Sequence, residues 1–453
     1  GKPPVSYNTF TNFRKRVREY YEETGIDLIQ KEVESLSQII ADTLEIDGQK
    51  TRVDSFMVAS SCRNLSRVEL VYTVNYQFVK MLSELSNDLI PQDCKCYLEE
   101  GHKNDTIYKT KDSEVESKLE FLLKQTKTLY DAGLKAGQKV TETEEFKTLK
   151  RMLGEQTKDD DDFDNIEPKE SEDISPDSLQ NPSDPDATYR YKYDDNIGYS
   201  ANVAEIFDEN GSIIAYYNIQ PNLFSDYQFS EELIEKITGD NEQKQENESS
   251  DNDEVKENKE ANDSINFPDI IQMITDGAYY SYELAKKALS LGIELIPGEL
   301  TGQNPDENKL NYSENFIINE EKDQIEKCIN DKEPDYTEKN DDYYYATFPE
   351  EACEGCPYQE QCRAQQNSNY SSVRFTEKRY GISLQRQKME TEAYKNLINQ
   401  RAAIEGIPSV FRRKYNVDNM PIRGKVRVKI RFGFKVAAYN VKKFFKGLKK
   451  EHV

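Results

Sequence analysis

The sequence predicts an α/β fold in which a mixed sheet is flanked by helices. Three strand-like segments, 188–193, 197–207 and 212–219, follow one another as a meander, and the tight turn 208–211 joins the last two. Further along, an apolar run ends at Asp276, a helix begins after Ser281, and a short strand follows at 293–297. A meander combined with a strand–helix–strand unit is typical of a mixed sheet with helices on its faces.

Helical periodicity predicts the elements before and after this core. Residues 1–48 are predicted to be all-helical, and because the chain begins at Gly1 without a Met we expect a truncated DNA-binding or oligomerisation domain there. Residues 49–450 are predicted to form one larger domain. It contains a strand at 50–60 carrying Asp54, a helix opened by a capping box at Ser66 and Glu69, and helices at 114–153, 225–237, 376–415 (broken near Gly381 and Pro408) and 425–450.

The charge is distributed very unevenly along the chain. The net charge is −25, yet residues 406–453 contain 14 Lys and Arg against two acidic residues. Segments 157–185 and 239–266 are acidic and rich in polar residues, so we expect both to be disordered insertions outside the core. The basic carboxyl end could be a solvated helix face, a membrane-surface helix or a DNA-binding surface. We favour DNA, because an anionic chain suits a membrane surface poorly.

The residue types available narrow the chemistry to carboxylates. The chain has two histidines, His102 in a polar loop and His452 at the terminus, so Ser-His and Cys-His nucleophilic catalysis are almost excluded. Asp54, Asp276 and Glu405 could share Mg²⁺, which prefers oxygen ligands. Asp276 could instead be an ordinary Asp-Gly turn residue, because this pair is common in turns.

Four blocks of sequence resemble DDE transposases of bacterial insertion sequences, and they occur in that family's order. They are TRVDSFMVASSCRNLSRVELVY (51–72), DPDATYRYKYDDNIGYSANV (184–203), TDGAYYSYE (275–283) and NQRAAIEGIPSVFRRKYNVDNMPIRG (399–424). The resemblance implies an RNase H-like catalytic domain whose DDE triad falls on Asp54, Asp276 and Glu405. Asp184 and Asp186 compete with Asp54 for the first position. We prefer Asp54, because the other two read as an Asp-Pro turn.

The resemblance also implies how such a site would work. Two Mg²⁺ ions, with Mn²⁺ as a substitute, would support cleavage of the element's ends and joining of the 3′-hydroxyl to target DNA. In the family pattern Tyr-x2-Arg-x3-Glu-x6-Lys, Arg401 matches the Arg, Arg412 stands where the Lys would be, and Ile398 replaces the Tyr. The resemblance implies that both arginines bind DNA phosphates, and the alternative is a solvated helix face. Double-stranded DNA would be the partner of a homodimer or larger synaptic complex. The alternatives are a metal-dependent DNA nuclease on the same fold and a non-catalytic DNA-binding remnant.

Cysteines cluster in one predicted insertion, 328–362. Cys353, Cys356 and Cys362, with Cys328 upstream, could bind a structural zinc ion or remain reduced thiols. The sequence contains no signal peptide and no apolar run long enough to span a bilayer. We therefore expect a cytoplasmic, nucleoid-associated protein of a bacterium or archaeon.

Overall fold

A large mixed sheet lies at the centre of the computed structural model. The structure describes residues 5–158, 163, 166–192, 194–248, 272–302, 304–319, 321–340 and 342–450. The strands are β1 (Lys50–Ala59), β2 (Thr188–Lys192), β3 (Asp194–Phe207), β4 (Ser212–Pro221), β5 (Gln272–Thr275), β6 (Glu294–Pro297), β7 (Phe316–Asn319), β8 (Gln324–Cys328), β9 (Tyr336–Asn340), β10 (Tyr343–Pro349), β11 (Gln365–Gln366) and β12 (Tyr370–Thr376).

Helices cover both faces of this sheet and also form a separate layer. They are α1 (Tyr7–Thr24), α2 (Leu28–Thr43), α3 (Arg67–Leu85), α4 (Val115–Ala136), α5 (Gln138–Thr141), α6 (Glu144–Gln156), α7 (Asp226–Glu248), α8 (Tyr282–Ser290), α9 (Tyr312–Asn315), α10 (Glu350–Cys353), α11 (Glu377–Glu390), α12 (Glu392–Arg401), α13 (Gly406–Tyr415) and α14 (Lys425–Lys450). The predicted α/β class is confirmed.

The central sheet has the strand order β4-β3-β1-β5-β6, and β2 pairs with the first residues of β3. β3 is antiparallel to β1 and β4, whereas β5 is parallel to β1 and β6. The meander and the strand–helix–strand unit therefore pair as their patterns predict. Residues 270 and 271, the start of the predicted apolar run before Asp276, lie outside the described residues.

Strand alternation divides the core between the two faces of the sheet. Phe56 and Val58 of β1 pack with residues of α1, α2, α13 and α14 on one face. Val53 packs on the opposite face with residues of α7 and α8. The predicted all-helical segment 1–48 therefore shares its core with the sheet. Asp54 has the parity of Phe56 and Val58, which directs it to the face covered by α13 and α14.

The first acidic insertion was expected to be disordered, and its described residues contradict this. Phe163 and Leu179 are buried in the core formed by α3, α4 and α6. Asp184 is fully buried and accepts hydrogen bonds from the hydroxyls of Ser60 and Tyr199. The buried side chains of Phe163 and Leu179 and the hydrogen-bonded carboxylate of Asp184 therefore order a segment whose average composition suggests disorder. Of the second insertion, 239–266, the backbone of α7 is described to Glu248, and residues 249–266 lie outside the described residues.

Several predicted helix boundaries differ from those observed. The helix expected at 114–153 is divided into α4, α5 and α6 at Gly137, which has a φ of 83°. The break predicted near Gly381 is wrong, because that residue lies inside α11, and Pro408 lies inside α13. The breaks fall at Thr391, which caps α12, and at the 3₁₀ segment Ala402–Glu405.

Sequence analysis missed the second, smaller sheet. It has the order β11-β12-β10-β9 and packs beside the β7–β8 hairpin. Its core contains aromatic residues from several strands, among them Phe316, Phe348 and Phe375. β12 ends at Thr376, whose side chain caps α11, so this smaller sheet leads directly into the helices that carry Arg401 and Glu405.

Candidate active site

Asp54 and Asp276 are carried by neighbouring parallel strands in matching register. Arg52 of β1 pairs with Ile274 of β5, so two residues further along each strand are Asp54 and Asp276. Asp276 follows β5 and accepts a 2.5 Å hydrogen bond from the backbone N–H of Gly277. Asp276 is therefore a turn residue, as one interpretation of its sequence predicted, and this turn is beside the strand that carries Asp54.

Glu405 reaches the same edge of the sheet from the segment after α12. The carbonyl of Gln400 accepts a 2.9 Å hydrogen bond from Arg52 Nη1, which ties the end of α12 to β1. The hydroxyl of Tyr394 donates to the carbonyl of Pro297 at 2.8 Å, which ties α12 to the end of β6. Ile404 is fully buried beside Glu405. These anchors hold the turn bearing Glu405 against the edge where the strands end.

The guanidinium of Arg401 pairs with two of the three carboxylates and acts electrostatically on the third. Arg401 Nη2 lies 3.5 Å from Asp276 Oδ2, and Nη1 lies 3.4 Å from Glu405 Oε1. The positive charge of Arg401 also lowers the pKa of Asp54. The Arg401 side chain is only 16% exposed, whereas those of Asp276 and Glu405 are open to solvent. Two carboxylates that are remote in sequence thus pair with one largely buried cation, whose charge also acts on a third.

Burial is the largest influence on Asp54. It raises the pKa of this carboxyl from its ordinary value of 3.8 to about 6, and the negative charges of Asp226 and Asp276 add to the rise. Arg401 and the Ser55 backbone N–H act in the opposite direction without cancelling it. The charge of Arg401 alone does not keep the pKa of Asp54 at its ordinary value. A further cation beside Asp54 would stabilise its ionised form.

Asp226 is a fourth carboxylate at this site, and sequence analysis missed it. Its Oδ1 accepts a 2.5 Å hydrogen bond from the hydroxyl of Ser55, the residue next to Asp54. Asp226 is the first residue of α7, where an acidic residue is common because it complements the helix dipole. No spacing pattern in the sequence connects it with Asp54, so no signal pointed to it.

The donor set of this site fits Mg²⁺, because all its candidate ligands are carboxylate oxygens. As placed, no three His, Cys, Asp or Glu side chains in the described part of the chain are grouped tightly enough to hold a metal ion. Arg401 contacts two of the carboxylates and acts on the third. The charge of the site therefore suits a cation, while its present geometry is that of carboxylates paired with an arginine.

A cleft of about 620 Å³ leads away from Asp54. Arg412 and Arg190 both line it, and Arg190 is a cation that sequence analysis did not single out. Arg412 Nε lies 3.4 Å from Asp418 Oδ1, and Arg190 donates to the carbonyl of Asn222 at 3.2 Å. Both pairs leave other guanidinium N–H groups as candidate donors to an anion in the cleft.

Helix α14 carries the basic run that was predicted to form a DNA-binding surface. Its apolar side packs on the sheet as expected. Lys443 turns inward and pairs with the buried carboxylate of Glu205, and Lys429 lies 3.3 Å from Asp27. Arg427 and Lys446 are exposed. Part of the basic charge at the carboxyl end is therefore used inside the fold.

The four cysteines of the predicted insertion come together beside the smaller sheet. Cys328, Cys353 and Cys362 pack against its hydrophobic core, and all four are free thiols. Burial raises the pKa of the Cys353 thiol, and the other three thiols raise it further, which places them near Cys353.

The carboxyl-terminal part of the chain is similar to a known protein family. Residues 326–445 match the model of a family described as "Transposase DDE domain". This stretch is about a quarter of the chain and contains Arg401, Glu405 and Arg412, while Asp54 and Asp276 precede it. No curated protein and no solved structure matches the chain. The match supports a DDE transposase, in agreement with the resemblance found in the sequence.

None of the described helices combines the length and the apolar character that crossing a bilayer requires.

Proposed function

We propose that the protein is a transposase that cleaves the ends of its insertion sequence and joins the freed 3′-hydroxyl to target DNA. The observation that carries the proposal is the gathering of Asp54, Asp276 and Glu405 around Arg401, in a chain that matches the transposase DDE domain. Acting on DNA, the protein would work in the cytoplasm at the nucleoid.

An RNase H-like catalytic domain is part of this proposal. Its support is the strand order β4-β3-β1-β5-β6, in which an antiparallel meander is extended by two parallel strands. The first two carboxylates come from the middle of the sheet. Asp54 lies on β1, and Asp276 directly follows the adjacent strand β5. The third, Glu405, comes from a helical segment tied to β1 through Arg52.

Each charged residue has a definite role in the proposed reaction. Asp54, Asp276 and Glu405 would hold Mg²⁺, which when bound supplies activation of the attacking oxygen and stabilisation of the leaving oxygen. Arg412 would bind a DNA phosphate in the cleft beside Asp54. Arg401 keeps the carboxylates together in the absence of other cations. Once their charge is neutralised, it is free to turn to a phosphate.

The proposed assembly on DNA is a homodimer or a larger synaptic complex. A strand-transfer reaction brings two element ends and a target together, so a single active site is insufficient for concerted movement. Arg427 and Lys446, on the exposed face of α14, are candidate contacts to the phosphate backbone.

The test uses the full chain with labelled duplexes that copy the DNA flanking its gene, in the presence of Mg²⁺. We expect strand cleavage and joined products from the wild type, and loss of both in Asp54→Ala, Asp276→Ala and Glu405→Ala. Glu392→Ala is the matched control, because Glu392 begins α12 and its side chain is 86% exposed. Its activity should equal that of the wild type.

The other outcomes separate the alternatives. Cleavage without joining, when target DNA is supplied, would identify a nuclease on the same fold. Binding of the duplexes without cleavage by the wild type would identify a non-catalytic remnant. Unchanged cleavage in all three alanine variants would refute the assignment of the triad.

A further inference from the structure

The smaller sheet carries a second candidate site, which is independent of the proposed reaction. Four thiols reach it from separate pieces of chain. Cys328 ends β8, Cys353 ends α10, Cys356 follows in a turn, and Cys362 lies in the loop before β11. We propose that these four cysteines bind one structural zinc ion.

The Cys353–Cys356 turn has the backbone shape that metal-binding Cys-x2-Cys turns use. The N–H of Cys356 donates to the carbonyl of Cys353 at 3.2 Å, which closes a tight turn. Gly355 inside it has a φ of 66°, a left-handed conformation that glycine adopts without strain. The turn carries two thiols three residues apart, the spacing found in zinc ribbons and fingers.

A single buried residue, Asn315, contacts the chain next to each of the other two cysteines. The backbone carbonyl of Asn315 accepts from the N–H of Ile329, the residue after Cys328, at 2.9 Å. The side-chain Oδ1 of Asn315 accepts from the N–H of Arg363, the residue after Cys362, at 2.6 Å. Asn315 therefore fixes Cys328 and Cys362 to the same point of the fold.

Two polar groups around the thiols favour thiolate sulfurs. The side-chain Nδ2 of Asn315 is fully buried and has no acceptor among the described residues. The N–H of Ala364 already donates to Cys362 Sγ at 3.4 Å. A buried donor without an acceptor is costly, and a metal-bound thiolate that came within reach of Asn315 Nδ2 would satisfy it. Asn315 thus supports a charged sulfur cluster better than four neutral thiols.

Four thiolates suit zinc, because they complete its tetrahedral coordination without water and so form a closed structural site. In the described part of the chain no three of these thiols are yet close enough to hold an ion, so binding must draw them together. The benefit would be mechanical. The ion would join β8, α10 and the loop before β11, and β12 of the same sheet continues into α11 and α12.

The test measures the metal content of the full chain, purified under reducing conditions. We expect about one zinc ion per chain, and replacement by Co²⁺ should give thiolate-to-cobalt absorption and the visible bands of a tetrahedral site. Cys356→Ser and Cys362→Ser should each lower the zinc content at least about fivefold at equal protein concentration. Cys96→Ser is the matched control, because Cys96 is part of the separate helical layer, and it should retain the metal.

Two results would overturn the proposal. The first is wild-type protein that contains no zinc and gives no cobalt spectrum, with all four cysteines reacting as free thiols. The second is isolation of these cysteines as disulfides under the same reducing conditions. If the serine variants fail to fold, the cobalt spectrum of the wild type decides the question. Activity of the triad does not enter this test, so the two proposals can fail separately.

Discussion

Replacing Asp54 with Asn should make the metal-free protein more stable at neutral pH, although it should abolish catalysis. The folded protein binds a proton at Asp54 more tightly than the unfolded chain does, because burial raises the pKa from 3.8 to about 6. Ionising this carboxyl therefore costs the folded state free energy. The cost is absent below about pH 3.8 and complete above about pH 6. Asn has nearly the same shape as Asp and does not ionise, so the variant avoids this cost in free energy.

The magnitude follows from the shift in pKa. A rise from 3.8 to about 6 corresponds to about 3 kcal/mol of unfolding free energy, because each tenfold change in proton affinity is worth about 1.4 kcal/mol. Asp54→Asn should gain up to about this amount at pH 8 and about half of it at pH 5. The amide oxygen of Asn can still accept a hydrogen bond from the Ser55 N–H, so this local hydrogen bond is kept.

The assay is urea denaturation in EDTA at a series of pH values between 5 and 8. Asp184→Asn is the control, because Asp184 is buried and accepts from Ser60 and Tyr199. That variant should lose about 1–3 kcal/mol. Added Mg²⁺ should stabilise the wild type and leave Asp54→Asn almost unchanged. A loss of stability in Asp54→Asn at pH 8, or a gain that does not vary with pH, would refute the reasoning.

Two further substitutions test the supports of the site. A Cβ on Gly277 would lie 2.6 Å from the carbonyl oxygen of Glu299, so Gly277→Ala should displace the Asp276 turn and slow DNA cleavage about tenfold or more. Gly298→Ala meets only ordinary contacts and should cleave normally. Arg52→Gln breaks a buried 2.7 Å ion pair with Glu205, which keeps its pair with Lys443, so the free energy of unfolding should fall by about 1–3 kcal/mol in urea denaturation. An unchanged midpoint would show that this pair contributes little.

The central sheet could be predicted because its strands are apolar runs bounded by turn and cap residues. The Asp208–Gly211 turn between two strand-like segments indicated the meander, and the apolar run before Asp276 with the Ser281 cap indicated the strand–helix unit. The smaller sheet could not be predicted in this way. β9, β10 and β12 are short and rich in Tyr and polar residues, and the aromatic contacts that stabilise them come from segments distant in sequence.

Candidate residues for the site could be named from the sequence, but their electrostatic surroundings could not. Four blocks in the order of a known family singled out Asp54, Asp276 and Glu405. No sequence pattern indicates that Arg401 faces these carboxylates in the metal-free chain. None indicates that Asp226 lies beside Asp54 through its hydrogen bond with Ser55. Both depend on where helices meet strand ends, which is decided by packing. The prediction that the first acidic insertion is disordered failed for a similar reason. It rested on average composition, which does not show that Phe163 and Leu179 are buried.

The hydrogen bond from Arg52 to Gln400 has a consequence for when the protein can act. Its partners are 348 residues apart, and Asn440 on α14 likewise donates to Ser37 on α2 across 403 residues. At roughly 5–20 residues per second, a ribosome needs roughly 20–70 s to pass from Arg52 to Gln400. During that interval the strand of Asp54 exists without the segment of Glu405. A nascent chain that has not yet reached Glu405 would therefore lack the third carboxylate of the proposed site.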